Sequence, residues 1–212
     1  MPAPAQTSTA AIVAAGRRLL EERGTDALIM RDVADAVGVR TPSLYKRVRN
    51  RSDLVRLILE DVTDELTAAT DAAVRATDEA TDETTAHSAA ADLRALMAVY
   101  RGFAHTNPVA YTLLTSPQAV AGATERAERA SATLLRLVAQ VAGPHDALPA
   151  ARTLVAWANG FITMELAGAF QLGGDVEQAW HFGMERVLTA IQREPRRHRP
   201  RQENAAPGLK DA

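Results

Sequence analysis

The chain has 212 residues, of which 47% are hydrophobic, 4% are aromatic and none is cysteine. The missing cysteines exclude disulfides, thiolate metal sites and cysteine nucleophiles, and the many alanines and leucines predict an all-α fold. The net charge of −2 is unevenly distributed, since residues 1–56 hold 10 Lys/Arg against 6 Asp/Glu, residues 57–192 hold 8 against 17, and residues 193–212 hold 6 against 3.

Two helices are predicted near the start of the chain. The apolar residues of "IVAAGRRLL" recur close to helical spacing and Gly24 supplies a stop, which predicts a first helix over about Thr9–Arg23. The segment "MRDVADAV" has one apolar face and places Asp32 in its first turn, where the helix dipole favours a carboxylate. Gly38 is expected to end this second helix.

The segment "TPSLYKRV" predicts a third helix after a three-residue turn. Thr41 is expected to be its N-cap and Pro42 its first helical residue, where the missing N–H has no consequence. Leu44 and Val48 lie four residues apart and are expected to face inward. The side chains left on the outward side are those of Pro42, Ser43, Tyr45, Lys46 and Arg47.

A fourth helix is predicted to follow Asn50, which is expected to act as its cap, with Asp53 three residues later in an arrangement like a capping box. Its apolar stripe consists of Leu54, Leu57, Ile58, Val62 and Leu66. Residues 67–86 are mostly alanine, threonine and acidic residues, with Val74 as the only large apolar side chain. We interpret them as a helix that frays into a solvated linker.

Further helices are predicted in the second half of the chain. The first begins near Ser88 and is broken at Asn107 and Pro108, "PVAYTLLTS" then forms a short helix, and another helix covers about residues 117–142. The last two helices, in "PAARTLVAWANGFITMELAGAFQL" and "DVEQAWHFGMERVLTAI", are apolar around much of their circumference and therefore need a partner, which predicts a homodimer. Gly160, Gly168 and Gly183 either permit close helix approach or are tolerated in a large core.

Two short helices joined by a glycine-containing turn are typical of a helix-turn-helix, whose second helix enters the DNA major groove. Met30 to Val48 has this arrangement, in a basic segment attached to an acidic body. Ser43, Tyr45, Lys46 and Arg47 can reach bases or phosphates. Phosphate contacts are also predicted from Arg49, Arg51 and the start of the fourth helix. The alternative is a solvated helical hairpin.

On Gly24, "MRDVADAVGV", Pro42, "SLYKRV", Arg51 and Leu54, residues from about 9 to 66 resemble the TetR-type transcriptional regulators. The resemblance implies an all-helical homodimer whose N-terminal three helices bind an operator in double-stranded DNA and whose C-terminal helices sense a small molecule. It implies recognition contacts from Arg40, Thr41, Ser43, Tyr45, Lys46 and Arg47, with Arg51 as a backbone anchor.

The sequence departs from the family pattern at two positions. Ile29 stands where a serine or threonine usually caps the second helix and often touches phosphate, and Val48 stands where an aromatic residue commonly ends the recognition helix. The first departure puts one cap and one contact in question, and the second leaves a smaller side chain to pack.

The second half resembles, in "YRGFAHTNPVAYTLL" and "AWANGFITMELAGAF", the branch of the family whose sensor region carries a Trp/His/Gly signature. Asn159 stands where histidine is usual. The candidate ligand-binding residues are Tyr100, Phe103, Tyr111, Trp157, Asn159, Phe161, Met164 and Glu165. Aromatic residues at this spacing are also typical of a plain core. Glu165 between Met164 and Leu166 is expected to be paired, solvated or ligand-facing.

We therefore expect a ligand-responsive regulator, and most simply a repressor that binds a palindromic operator as a dimer and is released by a small molecule. Residues 1–56 would form the helix-turn-helix domain, residues 57–192 a helical ligand-binding and dimerisation domain, and residues 193–212 a basic, disordered tail that is either solvated or adds affinity for DNA. A non-specific DNA-binding protein is the first alternative, although it would need a basic body.

A helical-bundle enzyme is the second alternative, although it would need convergent titratable groups. The five histidines are isolated from one another, and the sequence has no glycine-rich phosphate loop and no Gly-x-Ser-x-Gly segment. We expect no catalytic residue, metal or cofactor. The N-terminus has no basic region before an apolar stretch and no run approaches the roughly 18 apolar residues of a membrane span, so we expect a cytoplasmic protein without membrane contact.

Overall fold

A computed structural model describes residues 8–25, 28–80, 85–116 and 125–192, and all regular secondary structure within these ranges is helical. The prediction of an all-α fold is confirmed. In chain order the helices of the described part are α1 (Thr9–Arg23), α2 (Met30–Ala36), α3 (Thr41–Leu44), α4 (Arg51–Ala80), α5 (Thr85–Thr106), α6 (Pro108–Leu114), α7 (Glu125–Ala142), α8 (Ala147–Leu166) and α9 (Val176–Ile191).

Helices α1 to α3 and the first half of α4 enclose the N-terminal core. Its most deeply buried side chains are those of Ile12, Val33, Leu44, Val48, Leu54 and Ile58. The predicted bounds of α1 are confirmed at both ends, and the hydroxyl of Ser8 caps it by accepting from the amide of Ala11. Gly38, at φ +72°, turns the chain after α2 so that the amide of Val39 donates to the carbonyl of Ala34.

Helix α3 is shorter than predicted. It covers four residues, Thr41–Leu44, and a turn follows through Arg47. Arg40, not Thr41, is the N-cap, because the carbonyl of Arg40 accepts the first bond, from the amide of Ser43. The amide of Val48 still donates to the carbonyl of Leu44, so both side chains face inward as predicted. The amide of Arg47 donates to the carbonyl of Leu44 three residues back, so the segment after Leu44 forms a tightened turn and not a further turn of α-helix.

The predicted cap of α4 is confirmed. The side-chain oxygen of Asn50 accepts from the amide of Asp53 at 2.9 Å, and the Asp53 carboxylate accepts from the amide of Arg49 at 3.0 Å. Residues 1–7, 26–27, 81–84, 117–124 and 193–212 lie outside the described ranges. The predicted tail and the first part of the predicted helix over 117–142 therefore lie outside them too.

The prediction of a helix that frays into a solvated linker over residues 67–86 is wrong for residues 67–80, because α4 continues to Ala80 without interruption for 30 residues. Val74 is only 3% exposed and lies in the second core with residues of α5. Small alanine and threonine side chains let α5 pack closely along this half of α4. The threonine hydroxyls remain satisfied because they donate to carbonyls one turn back, as Thr67 does to Thr63 and Thr70 to Leu66.

The second core lies between α4, α5, α7, α8 and α9. Its fully buried side chains include those of Leu93, Met97, Leu137, Leu154, Ile162 and Leu188. A Cβ added at Gly183 would lie 2.4 Å from the ring of Trp157, so glycine is what permits the close approach of α8 and α9 there. Gly160 has open space around it, and Gly168 lies in the turn after α8. Among the described helices, none has the length and apolar content that crossing a bilayer requires.

The second half of α4 gives a direct test of the fold. Val74→Asp places an unpaired carboxylate in the second core and should lower the free energy of unfolding by about 3 kcal/mol. Ala72→Asp, at an exposed position of the same helix, should change it by less than about 0.5 kcal/mol. Urea unfolding followed by circular dichroism measures both. Equal effects would mean that this segment is solvated.

Candidate functional site

A basic surface surrounds the short helix α3. We call the segment from Arg40 to Arg51 the basic head. Leu44 and Val48 are buried and fix its orientation on the N-terminal core. The side chains of Arg40, Pro42, Ser43, Tyr45, Lys46, Arg47, Arg49 and Arg51 are exposed, and that of Thr41 is half-buried. All nine predicted DNA-contacting residues thus lie in the basic head, and eight of them are exposed.

The cations of the basic head differ from the other arginines of the N-terminal part. Within the described residues, Arg40, Lys46 and Arg47 form no ion pair with a carboxylate. The arginines of the N-terminal part outside the basic head are paired with carboxylates: Arg17 with Asp61 and Glu65, Arg18 with Glu22, Arg23 with Asp32, Arg31 with Asp35, and Arg56 with Asp53 and Glu60. The positive charge of the basic head is therefore available to an anion from outside the chain.

Arg51 has a structural contact that the sequence did not indicate. Its Nε donates to the carbonyl of Leu28 at 3.1 Å, and its Nη2 donates to the carbonyl of Thr25. These bonds fix the connection between α1 and α2 to the start of α4. Arginine has five N–H donors, so its remaining donors can still meet a phosphate.

The start of α4 presents backbone donors beside Arg49. The first intrahelical bond runs from the amide of Leu54 to the carbonyl of Asn50, and the Asn50 side chain occupies the amide of Asp53. The amides of Arg51 and Ser52 precede that bond and are the orphan donors of the helix start. The amide of Arg49, followed by the guanidinium of Arg56, lowers the pKa of Asp53, which stays charged as a cap.

Ile29 at the start of α2 makes no side-chain capping bond and is 56% exposed. The position therefore offers neither the cap nor the polar contact that a serine or threonine would give.

Three of the ligand-binding candidates form a polar network inside the second part of the molecule. The hydroxyls of Tyr100 and Tyr111 both donate to the side-chain oxygen of Asn159, at 2.7 and 2.9 Å. The two rings meet edge to face, with centroids 5.7 Å apart. Burial raises the pKa of Tyr100 far above its ordinary value, so the phenol is a donor at every physiological pH.

Two other candidates, Trp157 and Phe161, belong to an aromatic cluster with Trp180 and Phe170. Trp157 stacks on Trp180 at 4.8 Å between centroids, and Phe161 packs against Trp180 and Phe170 at 5.3 and 4.9 Å. The guanidinium of Arg101 lies 5.0 Å from the centroid of Trp180, which adds a cation–π contact.

Glu165 is paired, as one of the sequence-based alternatives has it. Its carboxylate accepts two bonds from Arg101, at 2.6 and 2.9 Å, and lies 3.0 Å from Nε2 of His105. Arg101 also bonds Glu177 at 2.7 Å. The bonds from Arg101 lower the pKa of Glu165 more than burial raises it.

Phe103 and Met164 lie apart from both groups. Phe103 is buried among residues of the N-terminal core, and Met164 is 48% exposed on the surface of α8. The eight candidates therefore do not line one cavity.

An open cleft of about 510 Å³ lies elsewhere, between α1, α4 and the start of α6. Its lining is Ala14, Arg17, Arg18, Glu21, Glu22, Asp61 and Asn107. These residues are not among the sequence-based candidates, because charged residues on a surface helix carry no signal of their long-range partners.

Comparisons with known proteins cover both parts of the chain. A family model described as "Bacterial regulatory proteins, tetR family" matches residues 12–58, and one described as "Tetracyclin repressor-like, C-terminal domain" matches residues 93–187. HTH-type transcriptional regulators of Mycobacterium bovis and Mycobacterium tuberculosis are each 32% identical over 105 residues, which is 50% of this chain and 42% of theirs. The match thus spans less than half the length of these relatives.

Several solved structures are similar in fold to this chain over most of its length. A protein of unknown function from Rhodococcus sp. RHA1 has a TM-score of 0.69 at 26% identity, covering 87% of this chain and 95% of that one. A TetR variant from Acinetobacter baumannii in complex with minocycline has a TM-score of 0.62 at 20% identity, covering 85% and 93%. BioQ with its natural double-stranded DNA operator has a TM-score of 0.61 at 19% identity, covering 87% and 97%. The last two likenesses show the fold alone.

The ion pairs of α5 give a matched test of the second part. Arg101→Met should lower the free energy of unfolding by about 3 kcal/mol, because it leaves the carboxylate of Glu165, which is 12% exposed, without its main partner. Arg94→Met breaks an exposed pair with Glu185 on the same helix and should cost at most about 1 kcal/mol. Thermal unfolding compares the two, and equal losses would contradict the structure.

The same pair predicts a pH dependence. The pKa of Glu165 is lowered from 4.5, so its stabilisation is complete above that value and is lost as the pH falls through the lowered pKa. Glu165→Gln should therefore lose less stability than the wild type as the pH falls from about 5 to about 3, the range in which a glutamate with an ordinary or lowered pKa becomes protonated. Urea titrations at several pH values measure the difference, and parallel curves would be the contrary result.

Proposed function

Because the chain belongs to the TetR family of bacterial regulatory proteins, we propose that it is a DNA-binding transcriptional regulator that responds to a small molecule. The observation that carries the proposal is the basic head, whose exposed cations have no carboxylate partner among the described residues. A surface of this kind on a helix-turn-helix suits the major groove and its phosphates.

The proposed contacts fall into two groups. Direct recognition of bases is assigned to the exposed side chains on and just after α3, together with the residue that precedes it: Arg40, Thr41, Ser43, Tyr45, Lys46 and Arg47. Binding of phosphate is assigned to Arg49, to the remaining donors of Arg51 and to the amides at the start of α4. Pro42 would contact DNA only through its ring.

We propose a two-fold homodimer formed by α8 and α9. The two helices expose large apolar side chains, among them Leu148, Met164 and Phe182, which is 64% exposed. Ala156 and Gly160 lie on the exposed face of α8 between the first two, where small residues allow a facing helix to approach. A second copy would place two basic heads about 34 Å apart, which suits a palindromic operator.

We propose that the effector binds in the second part and that the empty dimer is the repressing form. The polar network of Tyr100, Tyr111 and Asn159 supports this region, because such groups give a buried site its specificity. Asn159 would stand where that branch usually has histidine, and in this chain it is the acceptor for both phenols. Such a regulator has no catalytic role and acts in the cytoplasm, where its DNA is.

The first test is a selection of bound duplexes from a random DNA pool. The wild type should enrich a palindrome with half-sites about one helical turn apart. The double variant Tyr45→Ala, Lys46→Ala should enrich none. Arg136→Ala, which removes an exposed cation of α7, outside the two helices of the proposed dimer interface, should behave like the wild type.

Two other outcomes of the selection would count against the proposal. Binding that survives random competitor DNA in both the wild type and the double variant would indicate architectural, sequence-independent binding. No binding by a folded dimer, after removal of any co-purified small molecule, would leave the basic head without a DNA role.

The dimer has its own test. Phe182→Glu should shift the protein towards monomer in sedimentation velocity at micromolar concentration, because it places a charge in an apolar contact. His181→Glu should leave the dimer intact, because this exposed residue lies between Glu177 and Glu185, which pair with Arg101 and Arg94 of α5. Loss of the dimer in both variants, or in neither, would place the interface elsewhere.

A further inference from the structure

Helix α6 is capped by a side chain of α1. The Glu21 carboxylate accepts from the amide of Val109 at 3.1 Å and from the amide of Ala110 at 2.8 Å. These amides belong to the second and third residues of α6, which a side chain at the N-cap normally satisfies. A residue 88 positions earlier in the chain performs this role instead.

Asn107, at the N-cap position, makes no capping bond because its side chain is engaged elsewhere. Its oxygen accepts from Nη2 of Arg17 at 2.8 Å, and its nitrogen donates to the carbonyl of Phe103 at 3.3 Å. Arg17 lies one helical turn before Glu21 on α1 and also pairs with Asp61 and Glu65 of α4. Two side chains of α1 thus hold the start of α6 together with α4.

Helix α6 takes part in both cores. Ala110 is buried in the N-terminal core, where Leu114 also packs. Tyr111 is buried in the second core, where its hydroxyl bonds Asn159 of α8. A helix of seven residues has little stability of its own, so its position depends on these contacts and on the cap.

We propose that the Glu21 carboxylate is the contact through which a displacement of α6 reaches helices α2 and α3. A shift of α6 either carries α1 with it or breaks two bonds to a charged acceptor, which are stronger than bonds between neutral groups. At the other end of this path Arg23, on the last turn of α1, bonds Asp32 of α2 at 2.8 Å. The inference rests on the proposed function for its biological meaning, since it makes Glu21 a positioning residue for the basic head.

Hydrogen exchange of the free protein tests the coupling without DNA. Tyr111→Phe serves as the perturbation, because it removes the bond from α6 to Asn159 and leaves the ring in place. Exchange is measured in peptides covering residues 28–44 for the wild type, Tyr111→Phe, Glu21→Gln and the double variant. Glu22→Gln, on the next residue of α1, is the matched control, since Glu22 pairs only with Arg18 among the described residues.

The expected result is a non-additive cycle. Tyr111→Phe should change exchange in residues 28–44 by at least about threefold in the wild-type and Glu22→Gln backgrounds, and by less than half of that factor in the Glu21→Gln background. In Glu21→Gln the amides of Val109 and Ala110 should themselves exchange faster, which reports the lost cap directly. If Glu21→Gln is not folded by circular dichroism, Glu21→Asp, which withdraws the carboxylate by one methylene, takes its place in the cycle.

Two results would overturn the proposal: an equal effect of Tyr111→Phe with and without Glu21, and no effect on residues 28–44 in any background. The DNA selection is independent of both. A non-additive cycle in a protein that selects no DNA would leave the coupling standing without the regulatory function, and an additive cycle in a protein that selects an operator would do the reverse.

Discussion

The continuity of α4 is the constraint on which the rest of the structure depends. Leu54 and Ile58 in its first half belong to the N-terminal core, and Val74 in its second half belongs to the other core. The expected boundary between residues 56 and 57 falls inside this helix. Because the backbone bonds of α4 run without interruption, a change in its tilt moves both of its ends together, and unbroken helix joins the end of the basic head to the residues of the second core.

The N-terminal part contains two groups of cations, those that pair with carboxylates of the same chain and those of the basic head that do not. Arg17 is held by Asp61, Glu65 and Asn107, and its guanidinium belongs to the junction with α4 and α6. Arg40 and Lys46, in contrast, meet no carboxylate in the described part of the chain. Arginine is thus paired within the fold at position 17 and left available to an anion from outside the chain at position 40. The difference depends on which carboxylates lie close to each guanidinium.

Two polar side chains in the second part of the molecule, Asn159 and Glu165, are paired with groups of the same chain. Asn159 accepts from two phenols, and Glu165 accepts from Arg101. A small molecule that enters this region must replace those bonds with its own, because an unpaired polar group in a core is costly. The affinity for the proposed effector would then be set by the difference between two sets of hydrogen bonds, one of which includes the bond from Tyr111 of α6 to Asn159.

The sequence by itself determined most of the helices, the cap of α4 and the basic head, because periodicity, Asn50 before Asp53 and the cations after Gly38 are local signals. Only the tertiary structure decided that residues 67–80 are packed helix, since an alanine- and threonine-rich face is buried only if α5 lies against it. It likewise decided that Arg51 bonds the carbonyl of Leu28 and that Glu21 caps α6. These contacts join residues far apart in the chain, and the position of a charged side chain in the sequence carries no record of the partner that the fold brings to it.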